Sequence, residues 1–268
     1  GLVFAKLVLE GKLTLNDTAN KYLPANLQLP SKDNIPITIG QLLNHTSGLE
    51  RQPKDLNFET PLDFDENKLS AYLSTTSLLT VPGTKFEYSN TGVGLAGYIL
   101  TKKLNSTYSS IIQKQVFDNL GMTKSSCSIG NLANENLSQG YFGNKEKSFV
   151  NMNDLFAGSG QIKSNMHDML IYLDNLINPN NSFLKEAIEL TLMPTFSNNE
   201  TFDVGINWLL QSKSNNEKFI FHNGATLGYS SFIGFNPTTK TGVVVLINSY
   251  CLGEQDLIGV EVMSLLDK

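Results

Sequence analysis

The strongest constraint on this 268-residue chain is a change of hydrophobic period near residue 200. Before that point apolar residues recur at helical spacing, between loops broken by proline and glycine. After it they alternate or run apolar: residues 202–210, 218–222, 230–236 and 242–248 read as strands joined by short turns. The stretch N-P-T-T-K-T-G from Asn236 to Gly242 is a hairpin loop. Residues 254–266 then read as a helix with Leu257, Ile258, Val262, Leu265 and Leu266 on one face. Antiparallel strands with a covering helix, behind a long helical part, define an α+β architecture. The expected division is a mainly helical domain over residues 1–200, with an antiparallel sheet and a C-terminal helix over 201–268.

Residues 2–9, L-V-F-A-K-L-V-L, read as a helix apolar on nearly all sides and therefore buried. Gly11 is its stop signal, but no N-cap precedes it, so it resembles the later half of a helix. Thr38 is expected to cap a short helix over 39–44. Further helices are expected over 67–77, 91–104 and 106–120, the last closed by Gly121. Ser164 should cap an amphipathic helix reaching Ile177, with Met166, Met169, Leu170, Leu173 and Ile177 on one side. Ser182 should cap another that runs to Leu192. Residues 51–65 and 125–150 are polar and irregular, the second with a small hairpin.

The net charge of −5 and the lack of any Lys/Arg cluster argue against a nucleic-acid partner. Residues 2–9 are too few, and Lys6 too polar, for a membrane span. Three histidines without a pair at ligand spacing argue against a metal site. Cys127 and Cys251 fit no metal or redox spacing and could pair only if the fold brings them together.

Two spots carry chemistry. Tyr88-Ser89-Asn90 follows a Pro82-Gly83 turn and precedes an apolar, glycine-spaced helix. Two residues apart on extended chain, the phenol and the carboxamide point the same way. Taken alone, a packed tyrosine and a helix-capping asparagine would also satisfy the pattern. The second spot, His222-Asn223-Gly224-Ala225, ends an apolar strand before a glycine turn at Gly228. Gly224 would let a ligand approach the backbone. A strand-end histidine making one hydrogen bond is the plain alternative.

Taken together, these motifs resemble the serine β-lactamase and penicillin-binding protein superfamily, in the class C β-lactamase-like branch that includes D-Ala-D-Ala carboxypeptidases, D-amino-acid peptidases and related esterases. The resemblance covers essentially the whole chain. It rests on L-E-G-K-L (residues 9–13), L-L-N-H-T-S-G-L (42–49), P-G-T-K-F-E-Y-S-N (82–90), V-F-D-N-L-G-M (116–122), residues 157–168, and F-H-N-G-A-T-L-G-Y (221–229). It implies a β-lactamase-like α+β fold and acyl-enzyme chemistry on an amide, ester or β-lactam carbonyl, with no metal or organic cofactor. Tyr88 would shuttle the proton, with its pKa lowered by nearby cations, and Asn90 would bind the substrate's amide carbonyl. His222 would hydrogen-bond towards the Tyr88 region and help anchor the substrate. Asn223 and Gly224 would contact substrate, and the backbone N–H of Ala225 would serve the oxyanion hole, a donor worth about 3 kcal/mol to a transition state. The partner implied is a small-molecule or peptide substrate, and the compartment periplasmic or secreted.

Three departures qualify this. The S-x-x-K motif that carries nucleophile and lysine in the family would precede Gly1, so a missing N-terminal segment or a second chain is expected to complete the fold. Ser182-Phe183-Leu184-Lys185 matches the pattern in the wrong order and reads as a helix cap. His222 stands where class C β-lactamases carry lysine, and Asn223 where a hydroxyl helps hold a substrate carboxylate. Both changes favour a peptidase or esterase. A family member without catalysis that binds a peptidoglycan-like or peptide ligand is the alternative. His45 and His167 are assigned structural roles.

Overall fold

A computed structural model describes residues 1–56, 64–128, 130, 137–179, 182–198, 202–212 and 218–266. Helix α1 (Leu2–Leu9) buries Val3, Phe4, Ala5 and Leu7, as an all-round apolar helix must. Helix α2 (Ile39–Leu43) starts with a capping box: Thr38 Oγ1 accepts from the Gln41 N–H, and Gln41 Oε1 accepts from the Thr38 N–H at 2.9 Å. Helix α3 (Glu66–Thr75) is capped by the Asp65 carboxylate. Helix α4 (Asn90–Leu104) begins one residue earlier than expected, because Ser89 rather than Asn90 is the cap; its hydroxyl accepts from the Gly92 N–H at 3.0 Å. Thirteen residues then run without a break as α5 (Tyr108–Ile112), a π-helical turn (Gln113–Phe117) and α6 (Asp118–Leu120). Gly121, at φ +74°, ends them.

Helix α7 (Met166–Ile177) is capped by Asn165, not Ser164. The Ser164 hydroxyl instead pairs with that of Ser125 at 2.7 Å, and Ser125 donates to the buried Asp168 carboxylate. The buried face of α7 is set by Leu173 and Leu176, while Met166 and Leu170 of the expected stripe are exposed. Helix α8 (Ser182–Thr191) packs on α1. Ser182, the expected cap, is instead the first helical residue, and what caps α8 lies outside the described residues. Cys127 and Cys251 are free thiols.

The small hairpin in the irregular stretch is β1 (Gly140–Phe142) with β2 (Lys145–Lys147). A six-stranded antiparallel meander follows: β3 (Phe196–Asn198), β4 (Phe202–Val204), β5 (Leu209–Ser212), β6 (Lys218–Thr226), β7 (Tyr229–Asn236) and β8 (Thr241–Ile247). Three details depart from the expected strands. The sheet starts one strand earlier, at Phe196. The expected strand over 202–210 is two strands, broken where Asn207 takes φ +61°. His222-Asn223-Gly224-Ala225 lies inside β6 rather than at its end, and the hairpin closes with Thr226 opposite Tyr229.

Strand alternation assigns the faces. Ile220, Ile233, Phe235 and Val244 join the helices in one continuous buried cluster. On the opposite face Phe219, Phe221, Phe232, Val243 and Val245 pack with Met263 of α9 (Glu254–Leu266). There a Cβ on Gly259 would come 2.2 Å from the Phe232 ring, so only glycine lets this helix sit so close. The α9 residues turned inward are Gln255, Gly259 and Met263. Leu257, Ile258, Leu265 and Leu266, expected to cover the sheet, are exposed.

Candidate active site

Tyr88 lies on extended chain immediately ahead of the α4 cap. Its ring stacks on the His45 imidazole, with centroids 4.3 Å apart and planes at 27°. The Arg51 guanidinium stands 5.0 Å from the Tyr88 ring centroid. Burial raises the Tyr88 pKa above the ordinary phenol value, and Arg51 acts against that rise. The expected lowering is therefore not the net result: desolvation outweighs the one cation in range.

His45 follows α2 and its C-cap Asn44, and holds φ at +60°, a left-handed conformation that costs energy for a side-chain-bearing residue. Its surroundings determine that geometry. Nδ1 accepts from the Ser89 N–H at 3.1 Å, and its carbonyl accepts from the Glu87 N–H at 2.8 Å. In the neutral ring the proton must then sit on Nε2, which is buried without a hydrogen-bond partner. The residue is 3% exposed, and burial drives its pKa down to about 3, with a further push from His222. His45 thus links the two expected spots: it stacks on Tyr88 and lies within the electrostatic reach of His222.

The β4–β5 turn closes the same region. The Asn207 N–H and side-chain amide both donate to the Leu43 carbonyl, at 3.2 and 3.1 Å. A Cβ placed on Gly1 would lie 2.9 Å from the Ile206 carbonyl oxygen, so the N-terminal end of α1 abuts this turn. Phe86 packs edge-on against His45 at 5.7 Å and against Phe202 of β4 at 5.2 Å.

On β6, His222 and Gly224 share the face of Ile220, towards α1, while Asn223 and Ala225 share that of Phe221, towards α9. The His222 pKa is lowered, chiefly by burial; the Gly1 amino group lowers it further, and its hydrogen bond at Asn223 and the Asp256 carboxylate oppose this. The β5 ladder ends at Leu209 opposite Phe221, whereas β7 pairs the strand through Thr226. Among the described residues, the 222–226 segment therefore has one ladder partner and an open side. Such an edge is where a backbone N–H can meet a ligand. The Asn223 side chain is already engaged, its Nδ2 donating to Asp256 Oδ2 at 2.7 Å. The other Asp256 oxygen is buried without a hydrogen-bond partner.

A cavity of about 410 Å³ is lined by Gln41, Asn44, Thr46, Gly83, Thr195 and their neighbours, and by none of the expected site residues. Its Asn44 and Thr195 side chains are bonded to each other at 3.1 Å, the mark of a structural junction. Lys185 of the misplaced S-x-x-K is largely exposed and faces Glu189 at 3.8 Å. Among the described residues no group of three or more His, Cys, Asp or Glu could hold a metal ion. Sequence reasoning did not single out Arg51 or Asp256, and it gave His45 a structural role, with which its buried, hydrogen-bonded ring agrees. Around it the polar run Asn44-His45-Thr46-Ser47 of L-L-N-H-T-S-G-L is buried.

Comparison with known proteins identifies the family and the fold. A family model described as Beta-lactamase matches residues 1–256. Protein flp of Staphylococcus aureus strain NCTC 8325 is 28% identical over 256 residues, covering 92% of this chain and 50% of that protein. A D-alanyl-D-alanine-carboxypeptidase/endopeptidase, AmpH of Escherichia coli K12, is 30% identical over 122 residues, 45% of this chain and 32% of that one. The chain thus spans about half or less of the length of these curated relatives. A class C beta-lactamase structure superposes with TM-score 0.83 at 24% identity, covering 98% of this chain and 78% of the other. A beta-lactamase/D-alanine carboxypeptidase from Pseudomonas syringae gives 0.81 at 19%, covering 97% and 79%. The α+β fold is β-lactamase-like, and the chain belongs to the beta-lactamase family, whose members are serine hydrolases.

Proposed function

We propose that this chain forms most of an acyl-transferring serine hydrolase that cleaves an amide or ester carbonyl, its hydroxyl nucleophile coming from residues outside this sequence that would extend α1 at its N-terminal end. The observation that carries the reading is the junction at that end of α1. Gly1 abuts the Ile206–Asn207 turn, that turn is tied to Leu43 two residues before His45, and His222 senses the Gly1 amino group. A serine one or two turns further out would continue α1 from an end that already abuts the Ile206–Asn207 turn and acts on His222. Tyr88 takes the hydroxyl proton as the new C–O bond forms and returns it to the leaving group. Asn90, first residue of α4, binds the substrate amide, and the Ala225 N–H stabilises the oxyanion.

Asn223 and Asp256 bear on the substrate. Where the family holds a carboxylate with a hydroxyl, this chain has an amide bonded to an aspartate. A free substrate carboxylate would meet like charge, which favours substrates whose carboxylate is absent or capped. We assign the protein to peptidase or esterase work on that ground. The same reading carries a periplasmic or secreted site of action, which cell fractionation checks.

The test is intact mass after treatment with a fluorophosphonate or penicillin. The full-length protein should gain one label, and Tyr88→Phe should lose it while its melting curve is unchanged. Amidated D-peptides and p-nitrophenyl esters should turn over faster than the free D-Ala-D-Ala acid. A full-length protein that takes up no label sinks the enzyme and leaves a ligand-binding family member.

A further inference from the structure

We propose that Arg51 is the positioning cation of this site, holding positive charge against the Tyr88 ring so that its phenolate form is accessible. The inference rests on the acyl-transfer reading for its use but on geometry for its existence. The guanidinium is 5.0 Å from the ring centroid, and it is charged at every relevant pH. The backbone around it is fastened to the start of α4. The Arg51 carbonyl accepts from the Thr91 N–H at 3.1 Å, and the Glu50 carbonyl accepts from the Ser89 hydroxyl at 2.8 Å. Arg51 is thereby held beside the ring by bonds from the turn that presents Tyr88 and Asn90.

The other groups around the ring do not supply this charge. His45, from the turn after α2, stacks on the phenol but is kept neutral by burial. His222, from β6, is likewise shifted towards its neutral form, although Asp256 of α9 opposes that. Glu87 is bonded to Lys85 at 2.5 Å, and Glu50 acts on Tyr72. The family resemblance puts a lysine where His222 stands, so a cation lost from the strand side is replaced here from the loop side. When the phenolate accepts the nucleophile's proton, its negative charge is neutralised. The same proton later leaves with the departing group, so the site returns to its starting charge.

The experiment is a spectroscopic pH titration of the Tyr88 phenolate, taken as the ultraviolet difference between the protein and its Tyr88→Phe variant. It is run on the full-length chain with Arg51, Arg51→Lys and Arg51→Gln. Arg51→Gln should move the titration to higher pH, and Arg51→Lys should retain most of the native position. The fluorophosphonate labelling rate at neutral pH should fall about fivefold in Arg51→Gln, with its rising limb displaced to higher pH in parallel. Should Arg51→Gln fail to fold, added salt must move the wild-type titration the same way, since the guanidinium is exposed to screening. A titration unmoved by Arg51→Gln or by salt overturns the proposal. A wild-type protein that takes no label while the titration still responds to Arg51 overturns the hydrolase reading alone.

Discussion

His45 combines a left-handed backbone, a buried neutral ring and a shared hydrogen bond with Ser89. A group folded with its pKa at about 3 and unfolding to an ordinary 6.5 binds more protons unfolded between those values. Stability therefore rises with pH through that window and is lost as pH falls from about 6.5 towards 3, by an amount on the order of a few kcal/mol. Asparagine tolerates φ near +60° and cannot become cationic. His45→Asn should flatten the slope of urea-unfolding stability between pH 4 and 6.5 relative to wild type; an unchanged slope would mean the ring is solvated in the fold. At this scale the sequence was readable as to place: Tyr88 stands on extended chain and Asn90 at the start of α4, as the motif's turn and helix signals led one to expect. Arg51 was unreadable because its contact with Tyr88 is made through space by a loop whose sequence looks like any polar surface segment. Asn223 was placed by motif, but the side-chain partner that decides its chemistry, Asp256, comes from a helix after the strands.

Tyr88 and Asn90 stand at the start of α4, and one hydroxyl caps that helix. Ser89 is fully buried, accepts from the Gly92 N–H and donates to the Glu50 carbonyl. Ser89→Ala removes the cap and strands a part-buried carbonyl, so unfolding free energy should drop by about 1–2 kcal/mol. Urea melts measure it, and a loss below about 0.5 kcal/mol would mean water replaces both bonds. Labelling should suffer as well, because Glu50–Arg51 is fastened to the turn through this side chain. Elements with strong periodic or capping signals were legible: α2 with its Thr38 box, α9 from Glu254, and the β7–β8 hairpin. The break between β4 and β5 was not, because Asn207 turns the chain in answer to the distant Leu43 carbonyl. The extension of β6 to Thr226 was hidden because polar and glycine residues interrupt the apolar run, while pairing with β7 continues regardless.

Over the whole molecule, two surfaces remain open among the described residues. Helix α9 turns Leu257, Ile258, Leu265 and Leu266 outward, with Leu257 at 72% and Leu265 at 60% exposure, although its inner face is seated on Phe232. Beside it β8, seven residues long, ends the sheet order with β7 on one side. The apolar residues of α9 are visible in its sequence; that Leu257 and Leu265 point away from the sheet is visible only once Gly259 fixes which side meets it. An apolar helix face next to an unpaired strand is a template for association. The 268-residue chain expressed by itself should therefore self-associate and bind an apolar dye such as ANS. Leu257→Glu with Leu265→Glu should reduce both without altering the melt, since neither side chain packs on the core. In a longer chain that carries residues ahead of Gly1, the β8 amides should exchange more slowly than in the 268-residue chain. Equal exchange in both would mean that the added residues do not cover this edge.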